Sequence, residues 1–345
     1  MGIEIRPANL NSDRVKLIET LRKWLTPSSS ERRFEWLYRG SPFGEAKAWL
    51  AVREEDRATV GAAAAFPRAL YAEGEEVRGC VYGDFCVSPE HRSLGLALRL
   101  QRACFESIES GWAALAYDFP SASMMAIYKR LKCNERGRLV RMARPLRTGR
   151  SIEKKIKVGA LAQTVGAVVD FVLASQERVS AKSCRWDISQ HAGPCGEEFS
   201  SLARDVKTQN TVCVVRTAEY LNWRYLAHPF YRHEILTARR DQRLDGYLVF
   251  CEDGENARVV DLFGRSEDGM LRGLLSRACQ LLRRRGTVTL SVPILEPHGQ
   301  MGTLRDAGFR DRGGGDVVFF KGANAPKALL ENGANWLLMD GDRDS

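Results

Sequence analysis

Residues 87 to 103 read VSPEHRSLGLALRLQRA and place Arg92, Gly95 and Ala97 in the spacing R-x-x-G-x-A directly after an apolar run. Such a turn can hold phosphate. Free backbone N–H groups converge at a helix start, where the positive end of the helix dipole also meets an anion. Arg92 adds charge, Gly95 lets the chain approach closely, and Ala97 is small where a larger side chain would block a ligand. Some thirty residues on, Tyr128 lies in an apolar helical stretch and offers a hydroxyl for proton transfer. The plainer reading is a strand-to-helix connection with a glycine, and a tyrosine ring packed in the core. Asp84 precedes the turn and reads as a structural carboxylate, because an equivalent Asp261 recurs later in the chain. His91 reads as a surface turn residue and Cys86 as a buried thiol.

The elements that must position these residues occur twice. FEWLYRGSPF and LNWRYLAHPF share W-x-Y-x-x-x-P-F, with Trp36, Tyr38, Pro42 and Phe43 matching Trp223, Tyr225, Pro229 and Phe230. GDFCV at 83–87 parallels VDLFG at 260–264, Arg102-Ala103-Cys104 parallels Arg277-Ala278-Cys279, and MAIYKRLKCNERG at 125–137 parallels MGTLRDAGFRDRG at 301–313. Each copy predicts strands, then a helix, a strand, a helix and a strand. In the first these are strands at 48–52, 59–66 and 76–87, a helix at 94–110, a strand at 113–117, a helix at 123–131 and a strand at 137–143. The fold class expected is α/β (α+β), two tandem units, each a mostly antiparallel mixed sheet with helices on both faces. The boundaries are 1–149 and 216–321 for the units, 150–215 for a helical, basic connection, and 322–345 for a weakly ordered tail. The paired W-x-Y-x-x-x-P-F segments read as core anchors first and as a sugar-binding cleft second. The second copy carries GRSEDGMLRG where the turn should be, and Glu267 and Asp268 would repel phosphate. Its cofactor site is expected to be lost, leaving it to complete an acceptor pocket or to stabilise the first copy.

Composition narrows the partners. The chain has 345 residues, 44% hydrophobic and 28% charged, and a net charge of +9. These values describe an ordinary globular protein of about two domains that favours an anionic partner. Nine cysteines without a CxxC exclude a disulfide framework or zinc ribbon, so no metal is expected and a cytoplasmic location fits. No interleaved basic and aromatic face is legible, so no nucleic-acid partner is expected. The apolar stretch 156–174 contains Asp170 and is too polar for a span. It reads as a helix packed on the domains or, second, as a peripheral membrane contact through 138–174.

The run DFCVSPEHRSLGLALRL resembles the acyl-CoA-binding motif of the GNAT acetyltransferase superfamily, and SMMAIYKRLKC resembles that family's helix ending in Tyr-x-x-x-Gly-Phe. The resemblance is readable over residues 1–147 and reaches 216–321 through the internal repeat. It implies an acyl-CoA-dependent N-acyltransferase, with acetyl-CoA as the first choice and a small amine as acceptor. The main chain of Phe85, Cys86 and Val87 would pair with pantetheine, adding a strand. Arg92, Ser93, Leu94, Gly95, Leu96, Ala97 and Leu98 would hold the pyrophosphate, and Tyr128 would protonate the leaving thiolate. Lys132 and Cys133 replace the family's Gly and Phe, and Ser121 its frequent Asn. Tandem arrangements with W-x-Y-x-x-x-P-F look similar to members linked to bacterial surface-polysaccharide synthesis, which implies an amino-sugar acceptor. The alternatives are a FemAB-like aminoacyl transferase, disfavoured by the intact R-x-x-G-x-A turn, and a non-catalytic CoA-binding protein.

Overall fold

A computed structural model describes residues 2–92, 94–133, 136–147, 184–322, 325 and 336–344. The apolar stretch 156–174, with its membrane-contact reading, lies outside them. Among the described residues no helix is long and apolar enough to cross a membrane.

The first half contains β1 (Ile3–Pro7), α1 (Arg14–Trp24), α2 (Glu31–Phe34) running on into a π-helical turn at Glu35–Arg39, then β2 (Lys47–Arg53), β3 (Thr59–Ala72) and β4 (Glu75–Val87). It continues through α3 (Leu94–Glu109), β5 (Leu115–Asp118), α4 (Ala122–Arg130) and β6 (Arg136–Pro145). Then come β7 (Asp187–Gln190), α5 (Glu197–Asp205), β8 (Val212–Val214) and α6 (Ala218–Leu221), the last passing into a second π-helical turn at Asn222–Leu226. The second half closes with β9 (His233–Arg240), β10 (Arg243–Asp253), β11 (Asn256–Gly264), α7 (Asp268–Arg285), β12 (Thr289–Glu296), α8 (Gln300–Asp306), β13 (Arg310–Lys321) and β14 (Trp336–Leu337). The expected mixed α/β architecture is therefore present, with the elements of the first half recurring in order in the second.

Periodicity explains the helix that matters most. In α3, Leu96, Leu100, Cys104 and Ile108 recur every fourth residue and are all buried, so one stripe seats the helix on the sheet. Ser121 caps α4 by accepting from the Met124 N–H. In α7, Leu271, Leu275, Ala278 and Leu282 form the corresponding stripe, and Gly286 at φ +95° ends the helix in the left-handed conformation.

The strands form one sheet in the order β1-β2-β3-β4-β5-β13-β6-β12-β11-β10-β9-β7, with β8 joined to β3 and β14 to β8. Its centre could not be read from the sequence. The last strand of each half pairs with the other half: β13 lies antiparallel to β5 at Val318↔Asp118, and β6 antiparallel to β12 at Val292↔Met142. β13 and β6 then pair with each other. A strand hydrogen-bonded on both edges within the other half's sheet cannot leave without exposing two ladders, so the halves are locked.

The W-x-Y-x-x-x-P-F segments meet at this junction. The Trp36 and Trp223 rings stack at 5.4 Å. Each indole N–H donates to the other's main-chain carbonyl, at 2.8 Å for Trp36 to Trp223 and 2.7 Å for the reverse.

Two parts of the chain depart from expectation. The connection supplies β7 and β8 as well as helix, and residues 336–344 are packed rather than loose. Trp336, Leu337, Leu338 and Met339 are buried, and Asp342 is sealed against Arg216. The physical reason is a vacant slot: the tail fills an opening in the second half described below.

Candidate active site

β4 and β5 pair in parallel at Gly79↔Leu115, Cys80↔Ala116 and Val81↔Tyr117, and then diverge. Ala62 pairs with Cys86 but Ala64 with Gly83, so β4 bulges at Asp84 and Phe85, and Asp84 takes φ +49°. A bulge of this kind breaks the ladder and re-aims the strand. Between the diverging strands and the start of α3 lies a cavity of about 580 Å³. It is lined by Phe85, Cys86 and Val87 from β4, Arg92 from the turn, Ala97, Gln101 and Cys104 from α3, and Asp118 with Phe119 beyond β5.

Five of the residues assigned to cofactor binding by the resemblance thus share one cavity, Phe85, Cys86, Val87, Arg92 and Ala97, and Asp84 lines it too. Gly95 is exposed, and a Cβ built there would meet nothing within 4 Å, so the space before the helix start is open. Leu96 and Leu98 instead pack on the core, holding α3 in place. Leu94 begins α3, and Ser93 lies outside the described residues. His91 accepts or donates at 2.8 Å to the Ser88 hydroxyl, the role of a turn residue. Burial pushes the Cys86 thiol up to about 12, so it stays protonated at neutral pH.

Gln101 is an informative residue of this lining. It is 1% exposed, and its Nε2 has no hydrogen-bond partner among the described residues. A buried amide left unpaired costs about 1–3 kcal/mol, and a polar ligand in the cavity would satisfy it.

Tyr128 is fully buried, tilted against Phe320 at 5.0 Å, and does not line the cavity. Its hydroxyl donates at 2.5 Å to Asp118 Oδ2, and Asp118 does line it. Burial drives Asp118 up to about 7, with the Tyr128 hydrogen bond working against that rise. Burial and the Asp118 charge both hold the Tyr128 phenol well above its ordinary range. Any proton exchanged between Tyr128 and the cavity therefore passes through Asp118. The sequence offered one faint signal for Asp118: a lone acid closing the apolar strand ALAYD.

Asp84 has the structural role expected of it. The Arg33 guanidinium grips it bidentately at 2.7 Å on both oxygens, and the Tyr38 hydroxyl donates at 2.7 Å. Asp261 is held similarly, by Arg216 at 3.0 Å and the Tyr247 hydroxyl at 3.2 Å.

A second cavity of about 550 Å³ adjoins the first, and Leu25, Asp84 and Asp344 line both. Its remaining walls come from both halves, among them Arg33 and Trp36 from the first, Arg224, His228, Phe230, Tyr231, His233 and Arg258 from the second, and Asp340, Gly341 and Arg343 from the tail. The Asp344 carboxylate lies against Gly83, where any Cβ would collide with it. Burial, and then the Asp84 charge, raise its pKa.

In the second half the equivalent slot is filled. β11 and β12 also pair briefly and diverge after Arg258↔Ser291. Here the tail enters: the Leu295 N–H donates to the Leu338 carbonyl at 3.1 Å, and Met339 Sδ accepts from the Leu262 N–H at 3.2 Å. The loop before α7 is tied down by Arg265 to Asp205 at 2.6 Å and Arg240 to Glu267 at 3.2 Å. A Cβ at Gly269 would lie 3.2 Å from the Trp186 ring, so the helix start that is open at Gly95 is covered here.

Residues 5–135 match the family model described as an acetyltransferase (GNAT) domain. No curated protein matches the sequence significantly. Among solved structures, a protein of unknown function from Enterococcus faecalis, described as a probable N-acyltransferase, is similar with a TM-score of 0.63 at 9% identity, covering 93% of this chain and 72% of that one. A GCN5-related N-acetyltransferase from Anabaena variabilis is similar with a TM-score of 0.63 at 12% identity over 92% of this chain and 72% of its own. One from Kribbella flavida gives 0.58 at 13% identity with the same coverages. The N-terminal part of this chain, residues 5–135, thus matches the GNAT acetyltransferase domain family, and the fold of nearly the whole chain is shared with N-acyltransferase-like structures.

Proposed function

We propose that the protein is an acyl-CoA-dependent N-acyltransferase, with acetyl-CoA the first donor to test and a small amine as acceptor. The observation that carries this reading is the buried Gln101 amide nitrogen, unpartnered among the described residues, in a cavity flanked by Phe85–Val87 and opening toward Gly95. Diverging strands leave main-chain groups of Phe85 to Val87 for an extended chain, and the start of the 16-residue α3 with Arg92 suits an anion. Acyl-CoA would supply the thioester: the amine nitrogen takes the acyl carbon, the C–S bond breaks, and the proton lost by nitrogen offsets the one gained by sulfur.

The chain's own part is to orient and to move protons. Asp344, at the wall common to both cavities, receives the ammonium and takes its proton, a role its raised pKa suits. Asp118, poised near neutrality, returns a proton on the donor side, and Tyr128 is a positioning residue that holds Asp118 through its hydroxyl. This moves the proton-donating role from Tyr128, as the resemblance implied, to the carboxyl it supports.

The test is release of free thiol from acetyl-CoA across a panel of amines, with a thermal-shift titration of acetyl-CoA alongside. Stabilisation by acetyl-CoA that Gly95→Trp abolishes supports the reading, and absence of any shift with acyl-CoA refutes it. Tyr128→Phe should lower turnover and raise the pH at which it falls off. The complete burial of Tyr128 favours a second reading, a CoA-binding protein without catalysis. Acetyl-CoA binding with no thiol release from any amine would select it.

A further inference from the structure

Among the described residues, exposed large hydrophobics are few: Val15, Leu25, Leu226, Phe230 and Tyr231. Three of the five, Leu25, Phe230 and Tyr231, line the second cavity. The internal repeat shows that this exposure is particular to one half. In the first half, Phe43 stacks on Tyr220 at 5.4 Å and 24°. Phe230 occupies the same place in its own motif, 187 residues later, as Trp223 does relative to Trp36. The counterpart of Tyr220 at that offset is Arg33, and Arg33 is committed to Asp84. Phe230 accordingly has no ring beneath it from that position and remains 47% exposed, with Tyr231 at 38%.

The loop is nevertheless held in place. His228 Nδ1 accepts from the N–H groups of Phe230 at 3.2 Å and Tyr231 at 3.1 Å, and its ring lies 4.6 Å from Trp36. His228 and His233 are neutral at ordinary pH, pushed down to about 3 and about 4 by burial and by nearby arginines. They therefore extend the aromatic wall without adding charge. Away from Asp344 and the Asp84–Arg33 ion pair, the charged lining comprises Arg224, Arg258 and Arg343 against the single carboxylate of Asp340. That balance opposes a second ammonium.

We propose, on the basis of the acyltransferase reading, that this cavity receives the acceptor as a primary monoamine with an apolar, ring-bearing body. Its ammonium lies at Asp344 beside Asp84, and its ring lies along Phe230, Tyr231 and His228. Rings of this kind recognise an aromatic or aliphatic body by area and stacking. The ring faces offer the hydroxyls of an amino sugar no hydrogen-bond partner, so discrimination against it rests on them and not on the polar groups of Thr26, Ser28 and the arginines. This acceptor class differs from the amino sugar implied by the sequence resemblance.

The experiment is calorimetric titration of the full chain with 2-phenylethylamine, glucosamine and spermidine, and separately with acetyl-CoA. We expect 2-phenylethylamine to bind at least about tenfold more tightly than the other two, and Phe230→Ala and Tyr231→Ala each to weaken it about tenfold. Both side chains are on the surface, and unchanged acetyl-CoA affinity and melting would show that the variants are folded. Equal or tighter binding of glucosamine or spermidine overturns the proposal, as does 2-phenylethylamine affinity indifferent to both substitutions. If acetyl-CoA binds and 2-phenylethylamine does not, the acceptor class is wrong and the acyltransferase reading stands. If the amine binds as expected and acetyl-CoA does not, the reverse holds.

Discussion

Replacing Asp118 by Asn tests the electrostatics of the donor cavity directly. Asp118 is half-buried at the cavity wall, hydrogen-bonded to the Tyr128 hydroxyl, and shifted from an ordinary value of 3.8 to about 7. A carboxyl whose pKa is raised by folding keeps its proton in the native state after the unfolded chain has lost it. Unfolding then releases a proton, so stability falls as pH rises. The sign is opposite to that of a salt-bridged carboxylate. Any stability due to protonated Asp118 is complete below about pH 4, is lost progressively between about 4 and 7, and is gone above that. Across that window, linkage gives at most about 4 kcal/mol, and solvent reaching this half-buried carboxyl lowers the figure. Asn keeps the shape and an acceptor for Tyr128 without a titrating group. Urea unfolding of wild type and Asp118→Asn at pH 4, 5, 6, 7 and 8 isolates the effect, because the other carboxylates cancel in the difference. The variant should gain on wild type as pH rises, by up to about 4 kcal/mol, and then level off. A difference that stays flat between pH 4 and 8 would refute the burial argument and the proton-donating role built on it.

Two further outcomes follow from the junction of the halves. Arg216 is fully buried between Asp261 and Asp342, so Arg216→Met, which leaves two carboxylates uncompensated, should cost about 3–5 kcal/mol in urea unfolding; a loss under 1 kcal/mol would show the cluster to be solvated. Leu338 is fully buried in the slot between β11 and β12, and Leu338→Ala should cost about 2–5 kcal/mol at constant m-value. A tail that was only loosely placed would give no measurable change.

Much of the fold was legible in sequence because it rests on local patterns. Apolar recurrence at every fourth residue marked α3 and α7, and strand runs placed β2, β4 and β11 to within a few residues. The pairing of the two W-x-Y-x-x-x-P-F segments was legible because they are rich in large rings that tolerate little drift in spacing. Short or edge elements escaped. β7 and β8 are 4 and 3 residues long and carry too little pattern to stand out from a loop. The tail escaped for another reason: WLLMDGDRD is apolar and then acidic, and only a vacant slot elsewhere makes it a packed segment.

The candidate site divides in the same way. The residue types and spacing from Phe85 to Ala97 were enough to place a turn and a helix start after a strand, because helix-start chemistry is set by neighbours in the chain. The contrast with GRSEDGMLRG marked the two halves as different at this turn, and the structure shows one helix start open at Gly95 and the other covered at Gly269. Tertiary structure alone decided the rest. It exchanged β6 and β13 between the halves, buried Tyr128 behind Asp118, and brought Asp344 against Gly83 from 261 residues away in sequence. Proton transfer depends on through-space distances and burial, and neither is encoded in local spacing. The turn was therefore readable from its own residues, while the carboxyls that share its cavity became visible only once the chain had folded.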